Sequence, residues 1–368
     1  MSYINKYLRN FKPYSVASHK IWQVSPEERE NILKLDWNEA TKAPSPMVKS
    51  RIEKLLEYDF LNLYPSTYNE ELHNLLAEYV KLPKNNIQYF ASSDSLHEYI
   101  AKMYITVGDP ALILWPSYDN FRLTAQVAGA NVMFFELNEE FEFDKDLFEM
   151  KINKKQPSLV YICNPNNPTG SILSKEYIKH LLDEFPATMF LIDEAYIEFE
   201  DSYTCSSLVL DYDNILISRT MSKAFGLANI RFGYLIASEE NIKYISSIRN
   251  PKNITSFAQE ATIGALSDVD YMKAYVEEVK KAREYFINSI NTYCSDYFKA
   301  YDSHANFVMV KCRSLLVKSE ILNYLERKNV FVRNIGQSDS VSECIRITIG
   351  TQKQMEYVCN LFMEYLNK

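Results

Sequence analysis

Glycine is scarce in this chain, with eight residues in 368. In so glycine-poor a sequence a glycine is expected to mark a backbone position that needs positive φ or close approach. No apolar run approaches the length of a membrane span, and Met1 to Lys12, polar and aromatic, carries no signal-peptide core. The expectation is a cytoplasmic protein, not a membrane-spanning or exported one. The six cysteines (Cys163, Cys205, Cys294, Cys312, Cys344, Cys359) include no C-x-x-C pair. That fits buried thiols in a reducing compartment better than disulfides or metal. The five histidines (His19, His73, His97, His180, His304) form no cluster with metal-ligand spacing, and no metal is assigned. Positive charge is not in excess either: the formal net charge is -8. That argues against nucleic acid or an acidic membrane as partner, and leaves room for a local basic pocket.

What is present is an ordinary soluble composition, 47% hydrophobic and 24% charged. A chain of 368 residues exceeds what one core supports, so two domains are expected. Met1 to Leu35 reads as an irregular arm with a short helical piece, packing with the smaller domain. Strand-length apolar runs follow at Ala111–Trp115, Asn131–Leu137, Leu159–Cys163, Met189–Ile192 and Ile215–Ser218. Helical segments such as Ser95–Val107, Tyr118–Val127 and Lys175–Phe185 lie between them. This alternation predicts an α/β domain over 36–251, a mostly parallel sheet covered by helices. From about Pro251 the pattern changes to a long helix (Val269–Tyr293), strands at Asn306–Val310, Val330–Arg333 and Ile345–Ile349, a helix at Lys318–Lys328 and a last one from Gln352. Residues 252–368 thus read as a smaller α+β domain.

Chemistry concentrates at the ends of the apolar runs. Asn164-Pro165-Asn166-Asn167-Pro168-Thr169-Gly170 follows one of them, and Asp193-Glu194-Ala195-Tyr196 ends another. Ser218-Arg219-Thr220-Met221-Ser222-Lys223-Ala224-Phe225-Gly226 follows a third, with Arg231 eight residues after the lysine. An amine, a carboxylate, a phenol, an amide and a guanidinium match the needs of pyridoxal phosphate. Lysine can form a Schiff base, and a carboxylate can hold a proton on the pyridine nitrogen so that the ring withdraws electrons. In open α/β sheets ligands bind beyond the carboxyl ends of the strands, where Asn167, Asp193 and Lys223 would meet. Lys223 acting as a base near neutral pH requires a pKa lowered from its usual ~10.4 by burial or cationic neighbours. Ser92-Ser93-Asp94-Ser95 opens a helix whose amides suit a phosphate, with Ser222 and Arg231 adding a hydroxyl and a guanidinium.

These motifs, with Pro13-Tyr14, Asn38-Glu39, Pro44-Ser45-Pro46, Tyr64-Pro65, Pro116-Ser117-Tyr118, Ala305-Asn306-Phe307, Val332-Arg333 and Ile345-Arg346, resemble fold-type-I pyridoxal-phosphate aminotransferases. Within that group the chain is similar to histidinol-phosphate aminotransferase and its close relatives. The resemblance implies that Lys223 carries the cofactor, Asp193 meets its ring nitrogen, and Asn167 and Tyr196 meet its phenolic oxygen. Tyr118 would cover the ring, while Ser93, Asp94, Ser95, Thr220, Ser222 and Arg231 would surround the phosphate. Tyr64 would reach the neighbouring subunit's phosphate, which implies a homodimer. Asn38 would border the substrate, Arg346 would take the α-carboxylate of an amino donor such as glutamate, and Arg333 with Tyr14 would hold a substrate phosphate. The chain departs from the family at Ser92, Ser95 and Asn229, and reads Asn38-Glu39-Ala40-Thr41-Lys42-Ala43 where relatives have Asn-Glu-Asn-Pro and a following glycine. The last difference admits a phosphorylated substrate shorter than histidinol phosphate, for example a three-carbon compound. Two other readings stand beside transamination: decarboxylation of a phosphorylated amino acid on the same fold, and a non-catalytic binding protein.

Overall fold

The computed structural model describes residues 20–336 and 338–367. Tyr14 lies outside them. Twelve strands occur among the described residues: β1 (Leu33–Leu35), β2 (Ile87–Phe90), β3 (Pro110–Trp115), β4 (Asn131–Glu136), β5 (Leu159–Cys163), β6 (Met189–Asp193), β7 (Ile215–Thr220), β8 (Gly233–Ala237), β9 (Phe298–Ala300), β10 (Phe307–Cys312), β11 (Val330–Asn334) and β12 (Cys344–Thr348).

Seven of them form one sheet in the order β2-β8-β7-β6-β5-β3-β4. The five from β7 to β4 run parallel; β8 pairs antiparallel with both β7 and β2, so it alone runs against the other six. β5 and β7 are buried at every position, as a sheet covered on both faces requires; β5 reads as an unbroken apolar run, whereas β7 buries Ser218, Arg219 and Thr220 after its apolar Ile215-Leu216-Ile217. β6 ends on Asp193 and β7 on Thr220, so polar chemistry begins where the apolar run stops. This is the mostly parallel, helix-covered sheet that the alternation of apolar runs and helical segments predicted.

The second sheet has the order β1-β11-β12-β10-β9, with β1 parallel to β11 and the rest antiparallel. The 25-residue helix Val269–Tyr293 packs on it together with Leu315–Arg327 and Gln352–Leu366. Leu33–Leu35 is therefore a strand, not part of an irregular arm, because its backbone completes the edge beside Val330–Val332. β2, β8 and β9 were also not legible as strands in the sequence.

The helix Ser256–Leu266 packs against Pro46–Leu55 and Glu70–Val80. A Cβ on Gly264 would stand 2.7 Å from the Met47 carbonyl and 2.8 Å from Val48 Cα, so only glycine allows the first two helices this close.

Candidate active site

A cavity of about 460 Å³ opens at the carboxyl ends of β5, β6 and β7 and is closed on its other side by β11 and β12. Asn38, Ser93, Asp94, Tyr118, Asn167, Asp193, Tyr196, Thr220, Ser222, Lys223, Arg231, Arg333 and Arg346 all line it. Residues distant in sequence thus converge as the parallel topology dictates. Ser95 sits one position further into the helix, its amide donating to Ser92 Oγ at 3.2 Å. Tyr64 lies outside the cavity and is 79% exposed, with Lys252 Nζ 4.7 Å from its ring centre.

Lys223 follows the end of β7, and its Nζ donates to the Trp37 carbonyl at 3.0 Å. Burial first, then the Arg346 guanidinium, lowers its pKa from 10.5 to about 8. The neutral amine is thereby accessible close to physiological pH.

Asp193, buried at the end of β6, accepts from Tyr161 Oη at 2.7 Å and from Ser218 Oγ at 3.0 Å. Among the described residues no lysine or arginine lies at ion-pair distance from it. His97 Nε2 stands 3.9 Å from its Oδ2, and a protonated pyridine nitrogen would supply a cation directly against this buried carboxylate. Tyr196 Oη accepts from Asn38 Nδ2 at 3.1 Å and Asn167 Nδ2 at 3.2 Å, and burial pushes its phenol well above the usual range. Asn167 Oδ1 in turn accepts from Arg346 Nη1 at 2.6 Å, joining both sheets through one polar chain.

The anion-binding end is formed by the first turn of the helix Ser93–Tyr104, whose leading amides have no intrahelical acceptor. Ser92 stands before it at φ 92 and ψ 161, and its hydroxyl caps the turn. Gly233 makes this approach possible: a Cβ there would lie 2.4 Å from the Ser93 nitrogen. Thr220 Oγ1 is 2.9 Å from Ser222 Oγ, fixing the hydroxyl towards the same end. Arg231 donates to Asp94 Oδ2 at 3.3 Å, while Tyr118 and Asn120 donate to Asp94 Oδ1 at 3.0 Å each. The Asp94 carboxylate therefore arranges cation and phenol, leaving its backbone to meet an anion. The left-handed residue of this loop is Arg231, at φ 58; Asn229 is not among the positive-φ residues and lies in the turn Ala228–Ile230.

Arg333 and Arg346 face each other as register partners of β11 and β12, both buried. Arg346 also donates to the Asp36 carbonyl at 2.8 Å. Sequence reasoning missed Trp37, which lines the cavity beside the Asn38-Glu39 motif, and Tyr161 and Ser218, which hold Asp193. Alternation along β5 and β7 was the available signal for the last two, hidden because these strands are buried on both faces.

Lysine, carboxylate, phenol and an anion cup placed around one cavity suit a phosphorylated pyridine aldehyde, and they occur here in a fold that houses such chemistry. The chain belongs to the aminotransferases of class I and II, whose family model matches residues 30–362. It is a transaminase, and its cofactor is pyridoxal 5'-phosphate. It is 42% identical over 366 residues, 99% of this chain and 97% of the relative, to a dihydroxyacetone phosphate transaminase of Campylobacter jejuni. A histidinol-phosphate aminotransferase of Ruminiclostridium cellulolyticum is 34% identical over 95% of this chain and 94% of its own. The crystal structure of histidinol-phosphate aminotransferase from Sinorhizobium meliloti, in complex with pyridoxal-5'-phosphate, shares the fold: TM-score 0.87, 22% identity, 100% of this chain and 98% of that one.

Proposed function

We propose that this aminotransferase moves an amino group between glutamate and a small phosphorylated ketone of three carbons, of the dihydroxyacetone phosphate kind. The observation that carries the reading is the facing pair Arg333 and Arg346, buried 7% and 8% exposed in the cavity that holds Lys223. Two guanidiniums side by side on one wall of the cavity suit an anionic substrate that each can grip by charge-assisted hydrogen bonds. Glutamate brings two carboxylates and the ketone brings a phosphate, so both substrates suit one arginine pair used in turn. Arg346 takes the α-carboxylate of the donor, and Arg333 takes the phosphate or the distal carboxylate, with Tyr14 as its expected companion.

When bound, pyridoxal phosphate supplies an electron-poor ring that accepts the electron pair released at the substrate's amine-bearing carbon. The chain's own residues do the rest. Lys223 holds the cofactor covalently at rest and is the base that removes and returns the proton at that carbon. Asp193 keeps the ring nitrogen protonated, and Asn167 and Tyr196 donate to the ring's phenolic oxygen. Tyr118 covers the ring face. The first-turn amides of Ser93, Asp94 and Ser95, with Thr220, Ser222 and Arg231, grip the phosphate. Asn38 orients Tyr196 next to the substrate. The protein works in the cytoplasm as a homodimer, with Tyr64 reaching the partner's phosphate site; its exposure in the single chain supports that role.

The shorter substrate is favoured over histidinol phosphate by the 42% identical relative. Asn38 and Glu39 line the cavity, whereas Ala40, Lys42 and Ala43, where the chain departs from the histidinol-phosphate pattern, lie beside Ala224 and Gly226 outside it. The test is 2-oxoglutarate formation from L-glutamate with dihydroxyacetone phosphate, compared with the ketone of histidinol phosphate. A preference for the three-carbon acceptor is expected, and Arg333→Gln should raise its KM about 10- to 100-fold through loss of a charge-assisted grip. Carbon dioxide released from a phosphorylated amino acid, without amino transfer, would replace this reading by decarboxylation.

A further inference from the structure

Behind the two donors that hold Asp193, Tyr161 and Ser218, stands a third side chain, His97, to which the site gives no role. His97, fully buried on the helix Ser93–Tyr104, has its Nε2 2.9 Å from Ser218 Oγ. Ser218 Oγ is 3.0 Å from Asp193 Oδ1, and Tyr161 Oη is 2.7 Å from Oδ2. The His97 ring meets Phe121 and Tyr161 edge-on, at 5.6 Å and 5.8 Å between centres, and those two rings stack at 4.4 Å. Its Nδ1 has no hydrogen-bond partner among the described residues. A leucine would fill this apolar wall without burying an unpaired nitrogen, so packing alone does not account for a histidine here.

Counting hydrogens fixes the direction of the chain. Serine has one hydroxyl hydrogen, and the carboxylate takes it. His97 must then donate through Nε2–H, which leaves Nδ1 as a bare lone pair. Burial, then Asp193 itself, pushes the Tyr161 phenol far up, so it keeps its proton and donates to the other oxygen. All the donors point inward, and Asp193 is left as an acceptor only.

We propose that His97, acting through Ser218, is a positioning residue that orders the donors around Asp193, so that this carboxylate meets the cofactor's ring nitrogen as an acceptor and the proton resides on that nitrogen. The proposal rests on the reading of Asp193 as that nitrogen's partner. Aligned hydrogen bonds strengthen one another, so losing His97 weakens the Ser218 bond as well. Asp193 then competes with the ring for the proton.

The experiment loads wild type, Asp193→Asn, Ser218→Ala, His97→Leu and His97→Gln with ring-¹⁵N-labelled pyridoxal phosphate. It reads the ¹⁵N chemical shift and the cofactor dissociation constant. Ser218→Ala and His97→Leu should move the nitrogen towards its unprotonated shift and weaken binding about tenfold. His97→Gln, which keeps an N–H donor, should recover most of both. A wild-type shift in Ser218→Ala and His97→Leu overturns the relay, as does a glutamine variant no better than leucine. If His97→Leu does not fold, Ser218→Ala and His97→Gln decide alone. Asp193→Asn should lose the ring proton whatever the relay does; an unchanged shift there overturns the reading of Asp193, and the relay with it.

Discussion

Lys223 illustrates how position converts a common residue into a reactive one. Its amine is buried beside the Arg346 guanidinium, which brings its pKa to about 8, and it is tethered to the Trp37 carbonyl. Lys223→Ala should therefore give a folded protein with wild-type circular dichroism and no turnover above background; retained turnover would remove the mechanism. Glu198 shows the same physics without the chemistry. It is buried near the Arg219–Glu194 ion pair, and burial raises its pKa from 4.5 to about 7 despite the nearby arginine. A carboxyl whose pKa is raised by folding contributes stability that is complete below about 4.5 and is lost as pH rises through 7. Glu198→Gln should flatten that loss and be more stable than wild type at pH 7.5 but not at pH 4.5. Urea unfolding at the two pH values checks this, and parallel pH profiles would contradict it.

At the scale of elements, what was legible depended on whether local pattern or tertiary pairing set the structure. Leu159–Cys163 and Val269–Tyr293 have the bounds read from sequence, because a doubly buried strand and a long amphipathic helix write themselves locally. β1 and β9 are three residues each and exist only because a neighbour offers an edge. β8 was missed because it turns back antiparallel directly after the lysine loop, breaking the βαβ rhythm. The site behaved likewise: motif residues at strand ends were legible, whereas His97 was assigned no chemistry because its role depends on which strand its helix lies against. The helix beginning at Ser93 carries a further prediction. Ser92 occupies a backbone region, φ 92 and ψ 161, that strongly favours glycine and costs a side chain of order 1–3 kcal/mol. Replacing a cap serine by glycine costs only a few tenths of a kcal/mol, so Ser92→Gly should stabilise the apoprotein by about 1 kcal/mol. A lower melting temperature for Ser92→Gly would show that the hydroxyl cap outweighs the strain.

For the whole molecule, two sheets with different grammars share one polar chain. Arg346 on β12 bonds Asn167 beyond β5, and Asn167 bonds Tyr196 beyond β6. Asn38, just after β1, bonds the same Tyr196 and Thr348 of β12. Substrate contacts and cofactor contacts are thus mechanically joined, which suits an enzyme that must seat two different substrates over one reactive centre. None of the described helices is long and apolar enough to cross a membrane. The proposed homodimer should appear in light scattering as twice the 42.9 kDa chain mass. The central claim is tested most directly by the visible absorption of the cofactor-loaded protein during sequential additions. L-Glutamate alone should bleach the band of the lysine-bound cofactor and release one equivalent of 2-oxoglutarate per site. Dihydroxyacetone phosphate added next should restore that band. A spectrum unmoved by glutamate, or one bleached by it but not restored by the three-carbon ketone phosphate, would contradict the proposed amino transfer between these two substrates.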